Sequence, residues 1–420
     1  MIRPSINQLP LAKSANAALE RFKAMAGLGA DSKILDITGA SLLYERAFML
    51  GLKPQGAISA NGSCHLIPCK GGILAVNLPR DSDWELIPAW LSPCCNDIQP
   101  RTLPTQWPLN DWETLTAICK QLDYDALLNQ AQCLGLAVAP ADRPPTRSPA
   151  PEHNAPFIDP PFSKPPFTHP PLVLDFSSLW AGPLCSHLLQ QAGCEVIKIE
   201  STQRLDGART GSPDFYHLLN QAKQSITLDF KSAAAIAQLK ALISKADLVI
   251  EASRPHGLIN LGINPEHEIK NNPNLTWLSI TAYGRSDNNA MKIGFGDDVA
   301  AASGLCQLMH EATGTYQWAG DAIADPLTGI QGALLAMQAL KNNSNTLIDL
   351  AMKDVVSTLL IDEINENKTH LLDSLQHWHK NGNNLSLYFP NGARKPHLPS
   401  AAPGAHNKTV FSAPTKHVEA

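Results

Sequence analysis

Several features that would decide a function at once are missing from this chain. No apolar run reaches the roughly 18–20 residues that a membrane helix needs. The opening stretch MIRPSINQLPLAKSANAALERFKAM has no continuous apolar core and no small-residue cleavage site. The expectation is therefore a soluble, cytoplasmic protein with no membrane contact. Lys and Arg total 33 against 38 Asp and Glu, for a formal net charge of −5. With no dense basic stripe, nucleic acid is not expected as a partner. Nine cysteines are scattered along the chain, and the close pairs Cys64/Cys69 and Cys94/Cys95 lack the CxxC spacing of a zinc site. Reduced thiols and no metal follow. GxSxG, HExxH and the P-loop are absent as well.

Proline, by contrast, is concentrated. Residues 139–171 hold 12 of the 33 prolines. That density removes amide donors and fixes φ, so neither a helix nor an inner strand survives it. An extended connector is expected there, with Phe157, Phe162 and Phe167 available to dock. On this basis residues 1–138 form a small α+β domain, 139–171 a linker, 172–364 an α/β domain and 365–420 a polar tail that wraps the surface or stays partly disordered.

After the linker the pattern alternates. LVLDF, EVIKIE, SITLDF, DLVIEAS, LTWLSITAYG and TLIDLA read as strands, separated by amphipathic helical stretches. Such alternation predicts a Rossmann-like, doubly wound, mostly parallel sheet with helices on both faces. Before the linker, HLIPCKGGILAVNLP predicts a hairpin turning at Lys70-Gly71-Gly72. DWETLTAICKQL and DALLNQAQCLG predict helices.

The turn after LVLDF carries one glycine, Gly182, so the GxGxxG dinucleotide fingerprint is absent. A helix start at the carboxyl end of a parallel strand still offers free amides to an anion. Arg254 and Arg285 end other strands, where arginine suits phosphate or carboxylate. In AGDAIADPLTGIQGALLAMQAL, Asp325-Pro326 reads as an N-cap with proline at the first helical position. Taken alone it is punctuation.

Taken together, six segments resemble CoA-transferase family III in order and spacing. They are LVLDFSSLWAGPLCSHLLQQAGCEVIKIE, FYHLLNQAKQSITLDFKS, ADLVIEASRPHGLINLGI, LTWLSITAYGR, GDDVAAASG and GDAIADPLTGIQGALLAMQAL. The resemblance implies that Asp325 is a nucleophile. Its carboxylate would attack an acyl-CoA thioester, giving a mixed anhydride and then an enzyme–CoA thioester that passes CoA to an acceptor acid. It further implies CoA contacts at Ser178, Trp180 and Ala181 and at Ala252, Ser253 and Arg254, and an assisting acid at Asp297. A position at a helix N-terminus would keep Asp325 ionised and would supply amides for the oxyanion. Asp321 falls outside the motif.

Acyl-CoA and a carboxylic acid acceptor are the implied partners, with coenzyme A as co-substrate and a homodimer as the assembly. Trp180 stands where the family carries a polar residue, and Ala252-Ser253 where it carries Asn-Phe. The racemase branch requires a histidine where this chain has Phe295-Gly296. Two segments outside the six, NGSCHLIPCKGGILAVNLPRDSDWELIPAWL and ARKPHLPSAAPGAHNKTVF, resemble the family's small domain and C-terminal signature. The parts thus read as rearranged, with loop Ser59–Ser63 covering the reacting centre. An acyl-CoA-binding or regulatory protein of reduced activity is the alternative reading, as is an acyl-CoA isomerase or lyase on the same scaffold.

Overall fold

The computed structural model describes residues 5–28, 32–95, 107–147, 167, 169–286, 289–382 and 384–412. Most of the proline-rich stretch lies outside these residues, with Phe157 and Phe162, as do residues 413–420 of the tail.

Two helices open the chain, α1 (Ala12–Ala26) and α2 (Gly39–Leu50). A capping box at Thr38 starts α2, and glycines in the left-handed conformation, Gly27 and Gly51, end both. Next comes a three-stranded antiparallel sheet of β1 (Cys64–Cys69), β2 (Gly72–Asn77) and β3 (Ala137–Pro140), in that order. The β1–β2 hairpin turns where expected, with Cys69 opposite Gly72. Helices α3 (Trp112–Cys119) and α4 (Tyr124–Leu134) cover this sheet, each capped by an aspartate, Asp111 and Asp123. Trp84, Trp90, Leu115 and Leu127 fill the core between them.

The larger sheet has six strands: β4 (Leu172–Asp175), β5 (Glu195–Ser201), β6 (Gln224–Leu228), β7 (Leu248–Glu251), β8 (Thr276–Thr281) and β9 (Leu347–Ala351). Every pairing is parallel, and the spatial order is β6-β5-β4-β7-β8-β9. In chain order this is 3-2-1-4-5-6, the doubly wound arrangement of Rossmann folds. The strands are almost wholly apolar because both faces are covered. The helices that matter below are α5 (Ala181–Gln191), α6 (Gly296–Ala302), α7 (Leu305–Thr313), α8 (Ala324–Asn342) and α9 (Met352–Asn381).

Three expectations need correction. Residues Leu9 to Ala47, read above with the small domain, share one core with α5 and α8; Phe22, Leu42 and Leu43 pack among Leu184, Leu327 and Ile330. Their apolar faces have no counterpart in the three-stranded sheet, which closes on its own tryptophans. Residues 365–381, read as tail, are helical: α9 runs on to Asn381 after a kink at Asn367, and Leu371, Leu375 and Trp378 tie its last turns to the core. The polar letters there are the outer face of a helix. Finally, Arg285 does not face a ligand, since it pairs with Glu251 at 2.9 Å and Glu266 at 3.3 Å.

The segment after α9 lies along edge strand β6. Asn407 exchanges two bonds with Thr227, and His406 two with Ser225. That occupies an edge which would otherwise offer free amides to another chain. Arg394 anchors the same segment on Glu45. Residues 141–147 leave β3 across the larger domain, where a Cβ on Gly304 (φ +98°) would lie 2.4 Å from the Pro145 backbone nitrogen. No helix among the described residues is long and apolar enough to cross a membrane.

Under the β4–α5 turn lies a buried charge pair. Asp175 accepts from Ser186 Oγ at 2.5 Å, from Ser177 and from Lys223 Nζ at 3.2 Å; both charged residues are buried. Burial alone would raise the Asp175 pKa, but Lys223, Lys198 and the two hydroxyls hold it at about 2. Substituting Asp175→Ala strands the Lys223 ammonium and is expected to cost about 3–5 kcal/mol, read by urea denaturation. A loss near zero would mean that the pair does not hold the turn.

Candidate functional site

Asp325 stands in the first turn of α8, and it does not cap that helix. The helix begins at Ala324, its N-cap is Ile323, and no side chain caps it. The sequence expectation of an Asp325 cap is therefore incorrect: the carboxylate belongs to its neighbours' helix starts. The backbone amides of Ala181, the first residue of α5, and Gly296, the first residue of α6, lie near enough to it to favour its charged form. Three helix N-termini thus meet at one half-buried carboxylate. Only glycine fits at 296, because a Cβ there would lie 2.1 Å from Asp325 Oδ2. Orphan amides at helix starts favour an anion.

Other acids crowd the same place. Asp297 accepts from the Ala322 amide at 2.8 Å, fixing a residue held at φ +42° three positions before Asp325. Asp321 is fully buried and chelates Arg46 Nη1 through both oxygens at 3.1 Å. Asp298 is fully buried too; its Oδ1 accepts from Asn77 Nδ2 at 2.8 Å and from the Phe295 amide at 2.9 Å. Asp298 Oδ2, Thr328 Oγ1 and Trp180 Nε1 are buried without a hydrogen-bond partner among the described residues. Such unmatched polar atoms are uncommon in a finished core.

The electrostatics follow from burial. Desolvation pushes Asp325 up to about 7, against the Arg46 guanidinium and the two amides and with help from Asp321. Asp297 is raised to about 7 by burial and then by Asp321, and Asp298 to about 7 chiefly by burial. Burial raises Asp321 as well, opposed by Arg46. The expectation that a helix start alone would keep Asp325 firmly ionised is thus not met: desolvation outweighs the amides, and it titrates near neutrality.

The residues that the resemblance assigned to CoA divide into two groups. Ser178 to Ala181 follow β4 and Ala252 to Arg254 follow β7. These strands are neighbours, with Asp175 opposite Ile250 and the Phe176 amide bonded to the Ile250 carbonyl. They are the strands between which the winding reverses, the place where open α/β sheets receive ligands. Ser178, Ala252, Ser253 and Arg254 are exposed there. Trp180 is not: it is 3% exposed, edge-on to Phe215 with centroids 5.3 Å apart, and the Arg46 guanidinium lies 5.2 Å from its ring. Ala181 is buried, with its amide near Asp325.

Arg46, Asn77 and Asp298 were not singled out from the sequence. Arg46 sits on a helix of residues 39–50 with no motif around it. Asn77 is a polar residue ending an apolar strand, a weak signal. The loop Ser59–Ser63 is knit by Asn61 Oδ1, and Ser63 Oγ lies 2.9 Å from Asn77 Oδ1. Two hydrogen-bonded steps therefore separate this loop from Asp298. Among the described residues no group of three or more His, Cys, Asp or Glu side chains could hold a metal ion.

A sequence profile of CoA-transferase family III matches residues 171–390, just over half of the chain. The chain is 32% identical over 219 residues to a succinate–glutarate CoA-transferase of Agrobacterium fabrum, covering 48% of this chain and 54% of that protein. It is 30% identical over 204 residues to a probable fatty acyl-CoA transferase of Mycobacterium tuberculosis, covering 46% and 52%. A human succinyl-CoA:glutarate CoA-transferase is 30% identical over 188 residues, covering 42% and 43%. A solved structure of a hypothetical protein from Mycobacterium tuberculosis is 29% identical over 48% of this chain and 60% of its own, with a TM-score of 0.42. The chain spans about half the length of the curated relatives it matches.

The acid cluster has a consequence for stability. Carboxylates whose folded pKa lies above the unfolded value of about 4 bind extra protons in the native state. Their contribution is fully present below pH 4 and is lost as pH rises through about 7. The cluster is therefore expected to lower Tm between pH 5.5 and 8. Asp298→Asn keeps the Oδ1 acceptor and removes one charge. Its Tm should fall less over that interval than that of the wild type; an unchanged or steeper fall would exclude a shared buried charge.

Proposed function

Because the chain belongs to CoA-transferase family III, we propose that it moves CoA from an acyl-CoA thioester to a carboxylic acid through a covalent intermediate on Asp325. The observation that carries this reading is the placement of one carboxylate beside the starts of two helices, packed against Gly296 and near enough to the Ala181 and Gly296 amides for them to favour its charge. A nucleophilic carboxylate needs donors that do not move as charge shifts onto its own carbonyl oxygen in the tetrahedral step. Amides fixed at helix starts meet that need.

In this reading Asp325 attacks the thioester carbonyl, expelling CoA thiolate and forming an aspartyl–acyl anhydride. The thiolate attacks the aspartyl carbonyl, releasing the donor acid and leaving an aspartyl–CoA thioester. The acceptor carboxylate then attacks that thioester and releases thiolate once more. Attack of the thiolate on the acceptor carbonyl regenerates the free carboxylate. Both halves need Asp325 as an anion, and the burial that raises its pKa to about 7 also makes that anion the stronger nucleophile once it forms. Arg46 lies close enough to hold Asp325 towards the ionised form and is opposed by Asp321. Asp297 acts through the Ala322 amide and is a positioning residue.

CoA itself would lie across the exposed turns at Ser178 and at Ala252–Arg254, above the switch between β4 and β7. The rearranged order of parts, with the small lobe ahead of the transferase domain, belongs to the same proposal, as does an assembly of two copies. The relatives that carry succinate and glutarate in their names support a small organic acid as one substrate.

The test is chemical. Incubation with an acyl-CoA and hydroxylamine should convert Asp325 to a hydroxamate, located by peptide mass spectrometry. Asp325→Ala should lose that label and on the order of 10³–10⁶ in turnover, as removal of a covalent nucleophile does. Full transfer by the alanine variant would sink the reading. Because the attacking species is the anion, labelling should rise with pH about a midpoint near 7. A midpoint near 4 would mean that the carboxylate is not desolvated as the structure has it.

A further inference from the structure

The three-stranded lobe and the α/β domain are joined by a seam that is closed at one end and hollow at the other. At the closed end Cys64, Leu66 and Ala75 pack against Ala301, Cys306 and Trp318, and Asn77 reaches Asp298. At the hollow end is a cavity of about 270 Å³. Leu128 and Leu136 of the small lobe, Val138 on β3, and Ile293 and Ala302 from the larger domain give it apolar walls. Its polar lining is made of Lys292, Lys353, Gln132 and Asn289, with Tyr283. No acidic side chain is among its lining residues.

The two ammonium groups are poorly compensated. Lys292 donates to Asn289 Oδ1 at 2.8 Å and lies 5.6 Å from the Tyr283 ring centroid. Lys353 reaches Thr146 at 3.4 Å and its own neighbour Asp354 at 3.8 Å. Burial lowers the Lys292 pKa, and repulsion from Lys353 lowers it further. An anion between them would relieve that repulsion. The volume falls below the range usual for drug-sized ligands, so the space suits a small organic acid and not coenzyme A.

The cavity is also near the chemistry. Ile293 lines it, and three residues later Gly296 packs against Asp325, a span of about 10 Å of chain. Burial raises the Tyr283 pKa, and the nearby Asp298 carboxylate raises it further.

We propose that this cavity binds a small carboxylic acid, one carboxylate between Lys292 and Lys353 and its apolar body against Leu136, Val138 and Ile293, and that an acid held in this way and carrying a second carboxylate is the acceptor for Asp325. The identification of the occupant as acceptor rests on the transfer reaction proposed above; the binding of the acid does not.

The test uses the full chain and three probes: hexanoate, its uncharged counterpart hexanol, and inorganic phosphate. Calorimetry should show hexanoate binding to wild type, with hexanol and phosphate each at least about tenfold weaker. Lys292→Met and Lys353→Met should each weaken hexanoate at least about tenfold, and Lys292→Arg should restore most of it. Asp325→Ala should bind hexanoate as wild type does. In turnover, Lys292→Met should raise the KM for the acid while hydroxylamine labelling from acyl-CoA alone stays at the wild-type rate. Equal binding of phosphate and hexanoate would overturn the assignment, as would hexanoate binding indifferent to both lysine substitutions, each variant first shown to keep the wild-type Tm. Loss of labelling in wild type would instead count against the covalent reading, and would leave the calorimetric result standing.

Discussion

A charge removed from water must be compensated or neutralised, and around Asp325 this protein does some of each. Four carboxylates, Asp297, Asp298, Asp321 and Asp325, are gathered where two helix starts and one guanidinium can serve them. Arg46 fully pairs only Asp321. The others depend on amides from Ala322, Phe295, Ala181 and Gly296, which bring partial positive charge without a counter-ion. The positions of α5, α6 and α8 are set by this requirement as much as by apolar packing. Moving any one helix start away would leave a carboxylate without its donor.

The same constraint explains which lobe touches what. The small lobe reaches the acid cluster through one polar residue, Asn77. Elsewhere it meets the larger domain through apolar side chains and through Arg80, which lies over the Phe295 ring. The indole and backbone N–H groups of Trp318 donate to the Ala57 and Gly56 carbonyls. A single amide side chain at the end of an apolar strand is enough to satisfy Asp298 Oδ1. It also ties loop Ser59–Ser63 to the site at second hand. The lobe therefore acts as a cover that gives the acid cluster one hydrogen bond and leaves a hollow beside it.

Much of the architecture was legible because its causes are local. Six short apolar runs, each followed by a helix-period stretch, can hardly do otherwise than form a parallel sheet covered on both faces. The hairpin at Lys70–Gly72 is likewise decided within a few residues. What escaped the sequence is long-range. Helices α1 and α2 carry ordinary amphipathic patterns, which say that a partner exists and not which one. Asp325 followed by Pro326 has the letters of a cap, and only the approach of α5 and α6 turns that side chain away from its own helix. Arg46 carries no local mark, because its role depends on a carboxylate 275 residues away. Arg285 misled for the opposite reason: a strand-end arginine suits a ligand, but two of the protein's own carboxylates reached it first.

That separation of 275 residues also sets an order of assembly. On the ribosome α1 and α2 emerge long before α8, the helix against which Leu19, Phe22, Leu42 and Leu43 finally pack. The strands of the larger sheet can pair nearly in sequence as they appear. The amino-terminal helices must keep their apolar faces waiting until the stretch around Asp325 has been made. Asp325 therefore meets its guanidinium neighbour late in synthesis, and a nascent chain displays the cover and the helices well before the four carboxylates are gathered.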